Sequence, residues 1–443
     1  MDLTNRSPRA EALAIFQAGL AAADARDAVR RVVHLEGDEL FIGGARVALG
    51  PSSRVVVVGA GKAGARMAAA VEEILGERIS GGVISVKDGH ATQCERIHIH
   101  EAGHPLPDER SLANGRAIID TVRGLAAQDV VLCLLSGGGS ALMEALGAGL
   151  ALPQLRAVTG ALMHAGANIV ELNGVRKHLS ILKGGQLARW AQPASAYAVI
   201  LSDVVGDDLS VIASGPTCPD PTTFGEALHT MVRFGVDRLE ESAAVMDYLR
   251  AGEHGSLMET PKPDNPLFAR VGNVIAASNR EAVHAAAARA SELGYTTEIV
   301  TTFLQGEARE VAKVLAAIAR ERKSGGAHAL CLLAGGETTV TVRTAGGRGG
   351  RNHELALSAA LELNGMEDVT LLAAATDGGD GSSDAAGAIV DGDSVMLGQL
   401  RGLNARRLLD ANDSHRFFAE TGAQVMTGPT LTNVNDLVVI LIA

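Results

Sequence analysis

Aromatic side chains are scarce in this sequence. Phe, Trp and Tyr together make up 3% of the 443 residues, and there is a single tryptophan. Alanine, valine and leucine must therefore fill the core, since apolar residues still account for 47% of the chain. Small side chains and 52 glycines suit close packing of helices on a sheet. The composition favours a soluble α/β protein.

Cysteine is also rare, and no C-x-x-C motif is present. The four cysteines are Cys94, Cys133, Cys218 and Cys331. A chain of this length with so few cysteines is not expected to depend on a disulfide framework. Cys133 and Cys331 fall within apolar, strand-like runs, which predicts buried, reduced thiols.

The sequence lacks a basic block and an uninterrupted apolar run of membrane-spanning length. The net charge is −12, whereas nucleic-acid binding would need a positive face with interleaved aromatics. Glycine or charge interrupts each apolar run before it could cross a membrane. The alanine-rich stretch from Ala12 to Ala23 contains Gln17, which favours an amphipathic helix over a signal peptide. We expect a cytoplasmic protein that binds neither nucleic acid nor membrane.

The length of the chain predicts two domains. Strand-like runs alternate with helical segments in the first half, at 54–58, 82–86, 130–135 and 197–201. This alternation predicts a Rossmann-like, doubly wound parallel sheet. Three prolines between Gly252 and Pro266 favour extended chain, so the expected domains are 1–255 and 265–443. The second is also expected to be α/β, with strands near 272–277, 295–300, 328–334, 337–343, 369–376 and 436–442.

Three glycine-rich turns follow strand-like runs and precede helical ones. They are Gly59–Gly64, Ser136–Ser140, and Gly346–Gly350 leading into Arg351-Asn352. Backbone N–H groups in such turns can converge on an anion at the positive end of a helix. A cation placed there opposes the helix dipole unless an anion is also present, which draws attention to Lys62 and Arg351. Together the turns predict a polyphosphate substrate.

The first turn also matches the G-x-G-x-x-G pattern of dinucleotide-binding sheets. That interpretation requires an acidic residue at the end of the next strand to hold a ribose. Asp88 could serve, although Lys87 beside it weakens the match. A plain packing turn with a solvated lysine is a further alternative.

Two acidic turns could bind Mg²⁺ or accept a hydroxyl proton. Ser202-Asp203 and Asp207 follow one predicted strand, where ligands bind in an open α/β sheet. Asp377 lies in a second turn after another strand. Solvated Asx turns are the alternative for both. Arg176, Lys177 and Lys183 form a cationic segment that could bind an anion or present a charged helix face.

Taken together, these segments resemble the glycerate kinases of the second type, the family with a MOFRL C-terminal domain. The resemblance covers nearly the whole chain and keeps the family's motif order. It is carried by Gly59–Gly64, Ala102–Asp108, Ser136–Leu142, Val175–Ser180 with Lys183–Gly185, Ser202-Asp203 through Ser214–Pro216, Gly335–Thr339, Gly349–Asn352 and Thr376–Gly381. Two positions depart from the family pattern. His353 replaces the usual Gln, and Ser382-Ser383 replaces Pro-Thr.

The resemblance implies ATP- and Mg²⁺-dependent phosphorylation of D-glycerate, usually to 2-phosphoglycerate. It also implies a Rossmann-like domain facing a smaller α/β domain, with the active site in the cleft. The matching catalytic positions are Lys62, Asp203 and Arg351. The predicted nucleotide and phosphate contacts are Gly61, Ser136, Gly137, Gly138, Gly139, Ser140 and Glu337. Predicted substrate contacts are Arg176, Lys177 and Asn352, and predicted metal contacts are Asp203, Asp207 and Asp377.

Two other functions stay open at the level of sequence. An NAD(P)H-dependent reductase for hydroxypyruvate or tartronate semialdehyde would use the G-x-G-x-x-G turn, but it gives the second glycine turn no role. A ligand-binding regulator without catalysis leaves the acidic turns unexplained. A small-molecule substrate is the expected partner, and a homodimer is one expected assembly.

Overall fold

The computed structural model describes residues 7–343 and 346–443. The first helix, α1 (Pro8–Ala22), buries Ala12, Ile15 and Phe16. Two compact units are present, one formed by Ala25–Ala276 and the other by the remaining described residues on both sides of it. The expected domains 1–255 and 265–443 assign α1 and residues 265–276 differently. A break in composition marks a change along the chain, whereas a compact unit depends on contacts between distant segments.

The Ala25–Ala276 unit begins with α2 (Ala25–Val32) and a small antiparallel sheet of β1 (Val33–Glu36), β2 (Glu39–Ile42) and β3 (Ala45–Ala48). Its main sheet contains β4 (Val55–Ala60), β5 (Ile79–Lys87), β6 (Ile97–Ala102), β7 (Val130–Leu135), β8 (Ser195–Leu201) and β9 (Val271–Ala277). The strand order is β6-β5-β4-β7-β8-β9, which is the order of a doubly wound nucleotide-binding sheet. The pairs from β6 to β8 are parallel. Every residue of β4 and β7 is buried, which explains their continuous apolar runs.

Helices of this unit cover the sheet and form a second, helical core. They are α3 (Gly64–Leu75), α4 (Glu109–Val122), α5 (Gly139–Leu142), α6 (Leu152–His164), α7 (Ile169–Leu179), α8 (Gln186–Ala191), α9 (Phe224–Arg233) and α10 (Ala243–Glu253). Asn168 caps α7, because its side chain accepts the backbone N–H groups of Val170 and Glu171. Leu162, Val175, Met231 and Leu249 belong to the helical core. This core sets the position of α7, which carries Arg176.

The other unit is built on a mixed sheet. Its strands are β10 (Thr296–Leu304), β11 (Leu330–Gly336), β12 (Val369–Ala375), β13 (Gly387–Asp391), β14 (Gln424–Val425) and β15 (Asp436–Ile442). Their order is β10-β11-β15-β12-β13-β14. Only β10 and β11 are paired in parallel, and the other pairs are antiparallel. The central strands β11, β12 and β15 are buried along their whole length.

Helices α11 (Asn279–Glu292), α12 (Ala308–Ser324), α13 (Arg351–Leu363), α14 (Ser394–Leu400), α15 (Ala405–Asp410) and α16 (Ser414–Thr421) complete this unit. Helix α1 packs on α11 so closely that a Cβ on Gly19 would lie 2.8 Å from the carbonyl oxygen of Ala282. Arg9 also pairs with Asp391 at 2.7 Å. These contacts attach the first helix to distant parts of the chain, and Arg9 and Asp391 are 382 positions apart.

The α/β fold is confirmed, but several predicted strands need correction. Residues 337–343 form no strand, and the predicted strand near 272–277 belongs to the first sheet as β9. β6, β13 and β14 were not predicted. β6 has the sequence Ile-His-Ile-His-Glu-Ala, and its alternating burial fits an edge strand. The helix expected for the alanine-rich stretch Ala12–Ala23 is α1, and α2 follows it directly in the chain but belongs to the other unit.

The four cysteines are free, and Cys133 and Cys331 are buried as predicted. Within residues 7–343 and 346–443, no helix combines the length and apolarity needed to cross a membrane.

Candidate active site

The carboxyl ends of three neighbouring strands bring the predicted residues of the first unit to one edge of the sheet. β4 pairs with β7 up to Ala60 and Leu135, and β7 pairs with β8 up to Leu135 and Ile200. Because the strands are parallel, the turns that follow them emerge side by side. These turns carry Lys62, Ser136–Ser140 and Asp203. Ligands bind at this edge in open α/β sheets.

The backbone N–H groups of the first glycine turn are used within the protein. Gly61 donates to the Ser85 carbonyl at 3.0 Å, and Lys62 donates to the Gly137 carbonyl at 2.9 Å. Ala63 donates to Ser136 Oγ at 3.1 Å, and Gly64 donates to the Gly61 carbonyl at 3.0 Å. In a dinucleotide site these are the groups that would face the pyrophosphate. The turn instead packs against the second glycine turn.

Two glycines of the first turn are required by this packing. Gly59 and Gly61 have φ of +150° and +143°. A Cβ on Gly61 would lie 2.1 Å from Ser136 Oγ, and one on Gly59 would lie 1.9 Å from the Leu134 carbonyl oxygen. Both positions therefore need glycine for a close backbone approach, which is the packing role that the sequence left open.

The second glycine turn has backbone donors that its own residues leave unused. Gly138 is left-handed, with φ of +83°, and α5 begins at the next residue. Among the described residues, no acceptor is present for the N–H groups of Gly137 and Gly138. Adjacent backbone donors of this kind suit a phosphate oxygen. Ser136 itself is buried, and its hydroxyl holds the first turn.

Cationic side chains surround this turn. The His104 ring lies against Gly138, because a Cβ there would be 2.8 Å from His104 Nε2. Burial and the nearby charges of Lys62, Lys87 and His90 lower the pKa of His104 to about 4. His90 Nδ1 lies 3.0 Å from the Lys62 carbonyl oxygen and donates to it. Lys62 and Lys87 thus bring positive charge to this edge in a protein with a net charge of −12, which favours an anion.

Asp203 and Asp207 follow β8 at the same edge. Both are half-buried, and Asp207 adopts a left-handed φ of +57°. The described residues contain no group of three His, Cys, Asp or Glu side chains that could hold a metal ion. Mg²⁺ keeps most of its water and phosphate ligands and often takes only one or two carboxylates. One or two aspartates in this turn are therefore compatible with an ion that arrives on a nucleotide.

A hydrogen-bonded chain connects the second turn to Arg176. Ser140 Oγ lies 2.7 Å from Ser214 Oγ, and Ser214 donates to Asn173 Oδ1 at 3.1 Å. Arg176 Nη2 donates to the Ser140 carbonyl at 3.3 Å, while its Nε is buried without a partner among the described residues. The structure therefore places Arg176 beside the second turn, with hydrogen-bonding capacity left over.

Lys177 has an internal partner. Its ammonium lies 3.4 Å from Asp220 Oδ1, and both side chains are buried. Asp220 also accepts hydrogen bonds from the hydroxyls of Thr222 and Thr260. We therefore leave Lys177 out of the proposed binding site.

The residues predicted from the second half of the chain lie in the other compact unit. Arg351 Nη2 donates to Asp436 Oδ1 at 2.9 Å, and Nη1 lies 3.0 Å from Glu337 Oε1. Burial lowers the pKa of Arg351, but the carboxylates of Asp436 and Glu337 outweigh this effect and raise it. The anion expected beside this arginine is thus supplied by the protein itself. Asp436 was missed because it lies 85 residues away in the sequence.

The backbone N–H groups that follow the third glycine turn are also bound by a carboxylate of the protein. Asp380 accepts the backbone N–H groups of Asn352 at 3.1 Å and His353 at 2.8 Å, and it also accepts His353 Nδ1–H at 2.6 Å. A carboxylate therefore occupies the start of α13. Asn352 and His353 are buried. A pocket of about 560 Å³ borders this region, and Glu337, Gly350, Arg351 and Asp380 contribute to its lining.

Asp377 lies in the turn after β12 and is half-buried. It accepts the N–H of Gly379 at 3.2 Å.

The predicted site residues are divided between the two units. One sheet edge of the first unit carries Gly61, Lys62, Ser136–Ser140, Arg176 and Asp203. The other unit contains Glu337, Arg351, Asn352 and Asp377.

Comparisons with known proteins match two family models along the chain. Residues 11–250 match a family model described as a domain of unknown function, DUF4147, and residues 330–436 match the MOFRL family. The chain is 43% identical over 394 residues to the D-glycerate 2-kinase of Thermotoga maritima, covering 88% of this chain and 91% of that protein. It is 44% identical over 397 residues to a putative hydroxypyruvate reductase of Agrobacterium vitis, covering 88% of each.

The fold is similar to a solved structure as well. The crystal structure of glycerate kinase from Thermotoga maritima superposes with a TM-score of 0.86 at 39% identity, covering 98% of this chain and 99% of that one. The fold and these relatives thus define an α/β enzyme of the kinase class. The chain belongs to the glycerate kinase family with a MOFRL domain.

Proposed function

We propose that this protein transfers the terminal phosphoryl group of ATP to D-glycerate and yields 2-phosphoglycerate. The observation that carries the proposal is the edge of the first sheet where Lys62 lies beside a glycine turn, because the N–H groups of Gly137 and Gly138 have no acceptor among the described residues. The glycerate kinase relatives support the same substrate. A phosphoryl group in transfer needs alignment and neutralised oxygens more than covalent help.

Lys62 and the second glycine turn have complementary tasks in this proposal. The N–H groups of Gly137 and Gly138 would bind phosphate oxygens and fix their position. The Lys62 ammonium would then stabilise the charge that develops on the transferring group, a form of preorganised electrostatic catalysis. His104 is neutral at pH 7 and can accept or donate a hydrogen bond there.

Arg176 and Asp203 would act on the acceptor. A guanidinium suits bidentate recognition of a carboxylate, and Arg176 has an unused buried Nε atom. Asp203 would accept the proton of the glycerate hydroxyl as the new O–P bond forms. Alternatively, Asp203, with Asp207, would hold Mg²⁺, which would supply neutralisation of the nucleotide phosphate oxygens.

Arg351 receives a secondary place in the proposal. Any anionic ligand would have to compete with Asp436 and Glu337 for its guanidinium. We therefore assign the main charge-stabilising role to Lys62. A phosphate contact by Glu337 and metal binding by Asp377 stay predictions, as do the cytoplasmic location and the homodimer.

The reductase alternative requires a dinucleotide at the first turn. The four N–H groups of that turn donate to protein oxygens, which counts against that binding mode. The relative named as a putative hydroxypyruvate reductase keeps the alternative worth testing. Purified protein should be incubated with D-glycerate, ATP and Mg²⁺, and the products identified by phosphorus NMR. NADH oxidation with hydroxypyruvate, in the absence of ADP formation, would contradict the proposal and favour the reductase.

A further inference from the structure

Arg176 belongs to a buried cluster that contains two cations and one carboxylate. Lys183 and Glu144 are both fully buried, and the Lys183 ammonium forms an ion pair with Glu144 Oε2. Lys183 also donates to the Met143 carbonyl at 3.4 Å. The charge of Glu144 acts on Lys183 and on Arg176, and Lys183 and Arg176 repel each other. With all three groups ionised, the cluster carries one positive charge in excess.

The Glu144 carboxylate pairs with Lys183. Glu144 Oε1 accepts the backbone N–H of Ala145 at 3.0 Å, and Oε2 faces Lys183. Arg176 is left with one long hydrogen bond to Ser140 and with its unpartnered Nε. A buried guanidinium nitrogen without a partner is unfavourable, so Arg176 attracts an external anion. The position beside the second glycine turn directs that anion to the edge of the sheet.

We infer that Lys183 is a positioning residue that keeps Glu144 away from Arg176, so that Arg176 stays available for the carboxylate of the acceptor. The inference rests on the proposed function and deepens it. Without Lys183, the Glu144 carboxylate would turn to the guanidinium and occupy the site from within. Lys183 would thus control the affinity for the acceptor without contacting it.

The test is a charge-removal series with a rescue. Lys183→Met should raise KM for D-glycerate by roughly tenfold to a hundredfold, the range for losing a charge-assisted hydrogen bond, while kcat changes less than about threefold. The double variant Lys183→Met with Glu144→Gln removes the competing carboxylate. It should recover most of the KM, although Lys183 stays absent.

Lys177→Met is the matched control. Lys177 lies close to Lys183 in the sequence, is also buried, and also pairs with a carboxylate, that of Asp220. This variant should lower stability without raising KM. An equal rise in KM for both single variants, or a double variant that stays as impaired as Lys183→Met, would overturn the inference.

Binding separates this inference from the proposed reaction. D-glycerate alone, titrated by calorimetry against folded wild type and Lys183→Met, reports affinity without catalysis, and glycerol serves as the ligand that lacks a carboxylate. If the wild type binds D-glycerate through Arg176 but does not phosphorylate it, the proposed function fails and the weaker binding of Lys183→Met still supports the inference. If the wild type is active and both proteins bind equally, the inference fails and the function stands.

Discussion

Lys62 and Arg351 occupy similar places in the sequence but have different neighbours in the structure. Each follows or lies within a glycine turn that leads into a helix. Lys62 shares its surroundings with Lys87, His90 and His104, whereas Arg351 is held by Asp436 and Glu337. The guanidinium of Arg351 is therefore already paired with carboxylates of the protein, and we propose the Lys62 turn as the one that receives an external anion. The same local pattern has two physical outcomes, which depend on distant residues.

The largest expected effect is on catalysis at Lys62. Lys62→Ala should lower kcat on the order of 10³-fold, by analogy with cationic groups that stabilise phosphoryl transfer, with a smaller change in KM. Lys62→Arg should not restore the rate, since the turn suits a compact ammonium. Steady-state kinetics on folded protein provide the measurement. A decrease in kcat of less than about tenfold would indicate that Lys62 has no catalytic role and only belongs to a packing turn.

Arg351 should matter more for stability than Lys62 does. Arg351→Ala leaves the buried carboxylate of Asp436 without its cation, which should cost roughly 2–4 kcal/mol in the free energy of unfolding, a range reduced for an arginine that is 28% exposed. Urea unfolding measures this cost. Combining the change with Asp436→Asn should recover part of the loss. A fully stable Arg351→Ala protein with a kcat loss as large as that of Lys62→Ala would break the comparison.

A smaller effect is expected at the start of α13. Asp380 caps this helix and holds His353, so Asp380→Ala should cost about 1–2 kcal/mol. Asp380→Asn keeps an acceptor oxygen and should cost less. Thermal unfolding of the two variants gives the comparison, and equal losses would indicate that the carboxylate charge contributes nothing there.

The smallest effect is a pH dependence from His104. Its pKa falls from 6.5 to about 4 on folding, so between these values the unfolded chain binds a proton that the folded chain does not. The contribution of His104 therefore lowers stability as pH falls from 6.5 towards 4. His104→Asn should make this fall shallower in urea unfolding at pH 6.5 and 5.0. Added sodium phosphate should do the same in the wild type, because a bound anion offsets the neighbouring cations, and no response to phosphate would argue against an anion site at this edge.

The local patterns predicted much of the first unit. Continuous apolar runs predicted β4 and β7, because both faces of these strands are covered. The edge strand β6 was missed because histidines occupy its exposed positions. Residues 337–343 are rich in threonine and valine, but β-propensity alone does not supply a pairing partner.

The site was predicted less completely, and the errors share a cause. Glycine turns and single cations are visible along the chain, so Lys62, Ser136–Ser140 and Arg176 could be proposed. The partners that determine what each group does come from elsewhere. Asp220 neutralises Lys177, and Glu144 neutralises Lys183 from 39 positions away. No spacing rule connects these pairs.

The sequence by itself determined the α/β class, the order of the motifs and the family, because these depend on residue type and local spacing. The tertiary structure decided which glycine turn keeps its N–H groups available, which cations retain free hydrogen-bonding capacity, and to which compact unit α1 belongs. Hydrogen bonds and buried charges are satisfied by whichever group the fold brings within reach. These partners come from segments far apart in the chain, so they cannot be predicted from local sequence.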